Sequence, residues 1–332
     1  MWMKAQPLST WPPARLSEET GPEAMAWSGG RSGPMNWPGR VRVRCFSRGT
    51  FLRAVVLFGL QMNANRESPI GVFDSGVGGL TVVEQIRRAL PGEDLVYLGD
   101  TARVPYGTKS PSTIVRFACE DTAFLLRQNV KAVVIACNTA SAWALAQLKK
   151  KFDLPIFGVI TPGAQAAASV TRNRRIGVIG TSATIRSQAY TREILARDQR
   201  AKVFARACPL LVPLVEEGWV NHAVTHQVLE EYLKPFDKHR IDTLVLGCTH
   251  YPLLKPAIRK ILEKRVALVD SAEACANYVR EQLARSGLLR TERRAAGTLQ
   301  PFVTDDVGRF EEMAGRFLSS APKRARRVEL AA

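Results

Sequence analysis

The stretch IGVFDSGVGGL, residues 70–80, begins with a short apolar run that leads into an aspartate and a glycine-rich turn. A near copy of its start, IGVIGT, occupies residues 176–181. A second pair has similar spacing: AVVIACNT at residues 132–139 matches TLVLGCT at residues 243–249. Short apolar runs that end in small and polar residues are typical of buried strands. The two pairs predict that one α/β unit occurs twice in the chain.

The sequence around these runs alternates between strand and helix patterns. The predicted strands are Ile70–Phe73, Leu95–Leu98, Ala132–Ala136, Pro155–Ile160, Arg175–Ile179, Lys202–Ala205, Thr243–Leu246 and Val266–Val269. The predicted helices include Leu80–Ala89, Ser112–Gln128, Ser141–Lys151, Ser187–Arg197, Ala223–Leu233 and Leu253–Glu263. Apolar strands separated by amphipathic helices predict parallel sheets with helices on both faces. The predicted fold class is α/β, with two similar lobes that each contain a mostly parallel sheet flanked by helices.

Composition narrows the possible classes of protein. The chain has 332 residues, 46% of them hydrophobic, so disorder of the whole chain is excluded. Its six cysteines include no CxxC pair, which excludes a zinc ribbon and a thioredoxin-type pair and favours reduced thiols. The net charge of +17 attracts polyanions, but the basic residues are spread along the chain and no nucleic-acid partner is expected.

The first 61 residues differ from the rest of the chain. They hold four of the six tryptophans and have no regular apolar periodicity before residue 53. The apolar run at residues 54–60 is far shorter than the roughly 20 residues a membrane-spanning helix needs. Two interpretations remain: residues 1–65 are a disordered extension, or the start codon is assigned too early and Met62 is the true start. We favour the second.

Two cysteines stand at equivalent places in the repeated units. Cys137 and Cys248 each follow an apolar strand, and ligands of open parallel sheets bind at the carboxyl ends of strands. A thiol before a helix N-terminus is expected to have a lowered pKa, which makes it a base as well as a nucleophile. If the lobes face each other, one thiol can remove an α-proton while the other returns a proton to the opposite face, as racemisation requires. The other cysteines are predicted to be small buried hydrophobes: Cys45, Cys119, Cys208 and Cys275.

Asp74 and His250 are also predicted to lie at the carboxyl ends of strands, close to these two thiols. Asp74 ends the first strand, where it could orient a substrate, accept a proton or cap a helix. The glycines that follow do not complete a G-x-G-x-x-G fingerprint, although Asp100 lies at the distance expected of a ribose-binding acid, so a dinucleotide site is an open alternative. His250 could pair with a thiol. His222 and His226 have the spacing of a metal pair but no third ligand, and they are interpreted as surface helix residues with no metal.

Together these residues resemble the glutamate racemase family, across residues 69–318. The motifs that carry the resemblance are FDSGVGGL (73–80), GDTARVPYG (99–107), ACNTAS (136–141), IGTSATIRS (179–187), CPLLVPLVEEG (208–218) and LGCTHYP (246–252). The resemblance implies interconversion of L- and D-glutamate without a cofactor such as pyridoxal phosphate, and supply of D-glutamate for peptidoglycan. It does not extend to residues 1–61.

The resemblance also implies residue roles. Cys137 would act on the D-enantiomer and Cys248 on the L-enantiomer. Asp74 would assist Cys137, while Glu216 and His250 would assist Cys248. The residues implied to bind glutamate are Asp74, Ser75, Tyr106, Gly107, Asn138, Thr139, Thr181, Thr249 and His250.

For the rest of the molecule, the resemblance implies two lobes around a crevice that holds the active site. The first would contain residues 66–160 and 270–319, the second residues 161–269, and residues 320–332 would form a basic tail. The reduced thiols favour a cytoplasmic location, and the partners expected are glutamate, a second copy of the chain in a homodimer and no membrane. An interaction with DNA gyrase follows from the resemblance alone. Three alternatives stay open: an aspartate racemase or related two-cysteine isomerase, a non-enzymatic binding protein on the same fold, and a dinucleotide-dependent oxidoreductase.

Overall fold

Each copy of the repeated unit forms the centre of its own parallel sheet. The computed structural model describes residues 64–262, 265–291, 296–320 and 324–330. The strands within those ranges are β1 (Ile70–Asp74), β2 (Leu95–Gly99), β3 (Ala132–Ile135), β4 (Ile156–Gly158), β5 (Arg175–Gly180), β6 (Lys202–Ala207), β7 (Thr243–Gly247), β8 (Ala267–Asp270), β9 (Leu299–Val303) and β10 (Arg326–Arg327). The first sheet has the order β10-β9-β2-β1-β3-β4 and the second has the order β6-β5-β7-β8.

The internal repeat predicted from the sequence is present in the topology. The order β2-β1-β3-β4 of the first sheet corresponds strand for strand to β6-β5-β7-β8 of the second, and all of these pairs are parallel. The register agrees as well. Phe73 lies opposite Ile135 in the first sheet, and the equivalent residues Ile179 and Leu246 lie opposite each other in the second. The predicted α/β class with two similar parallel sheets is confirmed.

Helices connect the strands and cover the sheets. The helices in the described ranges are α1 (Leu80–Ala89), α2 (Pro111–Arg127), α3 (Asn138–Lys151), α4 (Ile160–Val170), α5 (Ser182–Arg186), α6 (Ala189–Leu195), α7 (Leu211–Glu216), α8 (Ala223–His239), α9 (Lys255–Leu262), α10 (Ser271–Arg285) and α11 (Val307–Phe317). Strands β1, β3 and β7 are buried along their whole length, as expected of central strands with helices on both faces. Within the described residues, no helix is both long and apolar enough to cross a membrane.

Several predicted boundaries were wrong. The predicted helix Ser187–Arg197 is the shorter α6, which begins at Ala189 because Gln188 at its N-cap adopts a left-handed conformation with a φ of 55°, and the short α5 before it was not predicted. Helix α3 begins at Asn138, three residues before the predicted start, which places Cys137 directly at its N-cap. Residue 160, predicted to end a strand, begins α4.

The first sheet also contains strands that were not predicted. Strand β9 pairs with β2 on the side away from β1, and the short β10 pairs with β9. Residues 326 and 327 of β10 lie in the segment predicted to be a basic tail. The predicted lobe boundaries stay predictions.

Candidate active site

A cavity of about 370 Å³ lies at the carboxyl ends of the central strands of both sheets. This is within the range of small-molecule sites. Its lining comes from the segments that follow β1, β2, β3, β5 and β7, and from α7 with the turn before it. The residues that line it are Ser75, Gly76, Val104, Pro105, Tyr106, Gly107, Thr108, Cys137, Asn138, Thr139, Thr181, Ser182, Pro209, Val212, Pro213, Glu216, Cys248, Thr249 and His250. Both predicted thiols therefore line one cavity.

Cys137 lies at the N-cap of α3, and its thiol donates a hydrogen bond to Oγ of Ser75 at 3.7 Å. The predicted lowering of its pKa was wrong. Burial is the main cause of a rise in the pKa of Cys137 to about 12, and the neighbouring Asp74 carboxyl adds to it. The N–H of Ala140 and the hydroxyl of Ser75 lower the pKa but do not outweigh burial. At neutral pH Cys137 is therefore a protonated thiol.

Asp74 interacts electrostatically with Cys137 but does not line the cavity. Its side chain is 1% exposed, and burial raises the pKa of its carboxyl above the usual range. Oδ2 accepts a hydrogen bond from the N–H of Gly76 at 3.1 Å, while Oδ1 has no hydrogen-bond partner within the described residues. Gly79 occupies the N-cap of α1, so Asp74 does not cap that helix. A buried carboxyl oxygen without a partner is free to accept a proton or to orient a neighbouring group.

Cys248 follows β7. Its sulfur contacts His250, which in turn contacts Glu216. Nδ1 of His250 lies 3.8 Å from Sγ of Cys248, and Nε2 lies 2.9 Å from Oε1 of Glu216. Burial by itself would lower the pKa of His250, but the hydrogen bonds to Cys248 and Glu216 outweigh it and raise the pKa to about 10. The imidazole is therefore a cation at neutral pH, and it stabilises negative charge that develops on the sulfur of Cys248.

Helix α11, near the C-terminus, supports this histidine and glutamate. Arg316 donates a hydrogen bond to the main-chain oxygen of Glu216. The ring of Phe317 stands edge-on to the imidazole of His250, with a centroid distance of 5.5 Å. The sequence motifs gave no sign of these contacts, because α11 lies 57 or more residues beyond His250 in the chain.

Hydroxyl groups line the wall between the two sheets. Oγ1 of Thr139, after β3, lies 2.8 Å from Oγ1 of Thr181, after β5. Thr184, which was not predicted, lies 3.2 Å from Thr139 and 2.9 Å from Thr181. Oγ1 of Thr249 lies 3.4 Å from Nδ1 of His250. Hydroxyls both donate and accept hydrogen bonds, so this wall suits a ligand with ammonium and carboxylate groups.

All the residues predicted to bind substrate line the cavity except Asp74, but two of them direct their side chains elsewhere. The hydroxyl of Tyr106 donates to the buried carboxylates of Asp100 and Asp121. The side-chain amide of Asn138 lies 2.7 Å from the hydroxyl of Tyr190. In this structure, the main-chain groups of Tyr106 and Asn138 are the parts of these residues left to reach a ligand. The apolar lining residues Val104 and Val212 lie within the quoted motifs but were not predicted as site residues.

The contacts of the other candidate residues indicate structural roles. Asp100 is fully buried and accepts hydrogen bonds from Arg103 at 2.6 Å and Thr304 at 3.0 Å, so it does not face a ribose site. His222 is not within a helix as predicted: it is the exposed N-cap of α8 and accepts a hydrogen bond from the N–H of Val224. In the part of the chain that the structure describes, no three His, Cys, Asp or Glu side chains converge as a metal site.

The other cysteines that the structure describes, Cys119, Cys208 and Cys275, do not line the cavity. Cys208 and Cys275 are fully buried, and Cys119 is half-buried beside the core of the first sheet. Burial raises the pKa of all three thiols, which makes them unreactive at neutral pH. Cys45 lies outside the described residues.

Comparisons with known proteins identify the family of this chain. The family model described as Asp/Glu/Hydantoin racemase matches residues 70–279. The chain is 51% identical over 249 residues to the glutamate racemase of Geobacter metallireducens, covering 75% of this chain and 92% of that protein. It is 52% identical over 233 residues to the glutamate racemase of Chlorobium phaeobacteroides, covering 70% and 86%. The crystal structure of a Bacillus anthracis glutamate racemase isoform superposes with a TM-score of 0.77 at 42% identity, covering 80% of this chain and 99% of that one. A Francisella tularensis glutamate racemase solved with D-glutamate gives a TM-score of 0.74 at 39% identity, covering 80% and 98%.

Proposed function

The chain belongs to the Asp/Glu/hydantoin racemase family, and from that premise we propose that it interconverts L- and D-glutamate by proton transfer between two thiols. The observation that carries the proposal is that Cys137 and Cys248, from equivalent positions of the repeated unit, line the same cavity. A substrate and a product that are mirror images are matched by two similar units with one thiol each. D-Glutamate formed in this way would supply peptidoglycan synthesis.

The choice of glutamate over aspartate rests on the relatives. The two similar proteins described above, at 51% and 52% identity, are both named glutamate racemases. The D-glutamate in the Francisella tularensis structure is the ligand of a protein that aligns with 80% of this chain.

The surroundings of the two thiols set the starting protonation state. His250 is a cation whose Nδ1 lies 3.8 Å from the sulfur of Cys248, while Cys137 is buried beside Asp74 and keeps its proton. With L-glutamate in the cavity, the Cys248 thiolate takes the α-proton and the electron pair of the C–H bond stays on the α-carbon. The Cys137 thiol then delivers its proton to the opposite face, which yields D-glutamate and leaves the thiolate on Cys137.

The reverse reaction uses the same groups. The Cys137 thiolate takes the α-proton of D-glutamate, and the thiol of Cys248 protonates the other face. We infer that the Asp74 oxygen with no hydrogen-bond partner among the described residues takes part in the protonation of Cys137. On the other side, Glu216 keeps the imidazole of His250 protonated through the 2.9 Å contact. We assign these as the assisting groups of the two thiols.

The hydroxyl wall would hold the substrate between the sulfurs. Ser75, Thr139, Thr181 and Thr249 would hydrogen-bond the ammonium and carboxylate groups, together with the main chain of residues 106–107. Fixed donors close to the α-carboxylate stabilise the negative charge that develops when the α-proton leaves. A cavity that excludes water makes each of these interactions stronger than it is in solution.

A racemisation assay with the purified chain tests the proposal. L- and D-glutamate should each be converted to the other enantiomer with no added cofactor or metal, and aspartate should be converted far more slowly. Replacing either thiol, Cys137→Ser or Cys248→Ser, should abolish racemisation in both directions, while Cys275→Ser should leave it intact. Normal turnover in either of the first two variants would refute the two-thiol mechanism.

We further propose a cytoplasmic location, which rests on the cysteines without a CxxC pair, a homodimer, and a contact with DNA gyrase, which rests on the family resemblance alone. Light scattering after size-exclusion chromatography tests for the homodimer. A supercoiling assay with purified gyrase tests for the contact with gyrase. A monomer at all concentrations would exclude the homodimer, and unchanged supercoiling would exclude the gyrase contact.

A further inference from the structure

Tyr190 is a buried phenol to which the proposed chemistry assigns no part. It lies on α6, is 3% exposed and does not line the cavity. Burial raises its pKa, so the hydroxyl stays protonated and acts as a hydrogen-bond donor. No sequence motif singles it out.

The hydroxyl of Tyr190 reaches the residue after the first thiol. It donates a hydrogen bond of 2.7 Å to Oδ1 of Asn138, which follows Cys137 and begins α3. The amide nitrogen of Asn138 lies 3.5 Å from Oγ of Ser271, and that hydroxyl donates to the main-chain oxygen of Leu246 at 3.0 Å. The start of α3 is thereby tied to the second sheet.

The ring of Tyr190 packs on the residue before the second thiol. A Cβ added at Gly247 would lie 3.0 Å from Cε2 of Tyr190, so the glycine lets the ring press against the main chain next to Cys248. On the other side, a Cβ added at Gly163 would lie 3.2 Å from the hydroxyl. One side chain therefore contacts the chain neighbours of both thiols.

We propose that Tyr190 is a positioning residue that fixes the separation of Cys137 and Cys248 across the cavity. The inference rests on the proposed two-thiol function. Proton transfer needs both sulfurs within reach of the same α-carbon, and a misplacement of 1 Å costs roughly 10²-fold in rate. A side chain that touches both thiol-bearing segments controls their spacing more directly than one that touches a single segment.

Tyr190→Phe tests this inference because it keeps the ring and removes only the hydroxyl. We expect kcat to fall about tenfold in both directions, while KM for each enantiomer stays within about twofold, since the hydroxyl is outside the cavity. The isotope effect on kcat with α-deuterated glutamate should rise, because proton transfer becomes slower relative to the other steps. Gly163→Ala crowds the same hydroxyl from α4 and should give the same pattern.

Thr243→Val is the matched control. Thr243 is also fully buried, and its hydroxyl donates to Oδ1 of Asp242 at 2.9 Å, at the amino end of β7 and so at the opposite end of that strand from Cys248. Its urea midpoint should fall about as much as that of Tyr190→Phe, while its kcat and isotope effect stay at wild-type values.

Three results would overturn the inference while leaving the proposed function in place. One is wild-type kcat and isotope effect in Tyr190→Phe. Another is a fall in kcat with an unchanged isotope effect, which indicates only a loss of folded protein. A third is a rise in KM with kcat unchanged, which indicates a role in substrate binding. By contrast, a wild-type chain that does not racemise glutamate would refute the proposed function itself.

Discussion

Gly78 lies where the glycine-rich turn after β1 meets the segment that carries Cys248, and Gly78→Ala tests how finely His250 is placed. A Cβ at this position would lie 2.4 Å from Cε1 of His250 and 2.4 Å from Oγ1 of Thr249. Ordinary contacts begin at 3.4 Å, so the imidazole or the glycine turn must shift by about 1 Å. A displacement of that size costs roughly 10²-fold, and we expect kcat/KM for glutamate to fall about 100-fold, or about 2.7 kcal/mol.

The assay measures racemisation from both enantiomers together with urea unfolding. Overpacking is expected to lower the free energy of unfolding by about 1–3 kcal/mol, which leaves a domain of ordinary stability folded. Gly315→Ala is the control, because a Cβ at that position of α11 meets nothing within 4 Å. It should keep full activity and stabilise the helix by about 0.5–1 kcal/mol. If the activity of Gly78→Ala stays within about threefold of wild type, the reasoning is refuted, because the segment that carries His250 can then move without loss of activity.

Three further perturbations have defined outcomes. Glu216→Gln removes the charge that lies 2.9 Å from Nε2 of His250, and so it lowers the His250 pKa from about 10. The fall of kcat/KM for L-glutamate at alkaline pH should therefore move to lower pH. An alkaline fall at the wild-type pH would contradict this. The same histidine links stability to pH: because its pKa in the folded chain, about 10, exceeds the ordinary value of 6.5, its stabilisation is complete below pH 6.5 and is lost as the pH rises through 10. Urea midpoints of the wild type should fall across that window, and those of Glu216→Gln should fall less; equal falls would argue against the link. Arg103→Met leaves the buried carboxylates of Asp100 and Asp121 without their cation and should lower the free energy of unfolding by about 3 kcal/mol, whereas a loss below about 1 kcal/mol would indicate that Tyr106 and Thr304 suffice.

The parts of the fold that could be predicted are those with local, uninterrupted patterns. The central strands are continuous apolar runs, and α1 was predicted with its observed limits because its apolar period is regular. Strand β9 was missed because Pro301 and Gln300 interrupt its apolar pattern. Helix α4 was missed because Pro162 and Gly163 are residue types that usually interrupt a helix. A proline in the first turn, however, costs no helix hydrogen bond.

In the candidate site too, the features that could be predicted are those that depend on local sequence. Cys137 and Cys248 could be located because each ends a duplicated strand, so the position follows from local sequence. The direction of the pKa shift of Cys137 could not be predicted, because burial outweighs the helix N-terminus and burial is set by tertiary packing. The contacts of Thr184 and Tyr190 join segments that are 45 and 52 residues apart, and no local pattern encodes them.

The most direct test of the central claim is the fate of the α-proton during the first turnovers of L-glutamate in D₂O. If two thiols act from opposite faces, the D-glutamate formed carries deuterium at the α-carbon, while the remaining L-glutamate still carries protium. Retention of the substrate proton in the product, or equal early deuterium content in both enantiomers, would contradict the account, because either result means that one group serves both faces.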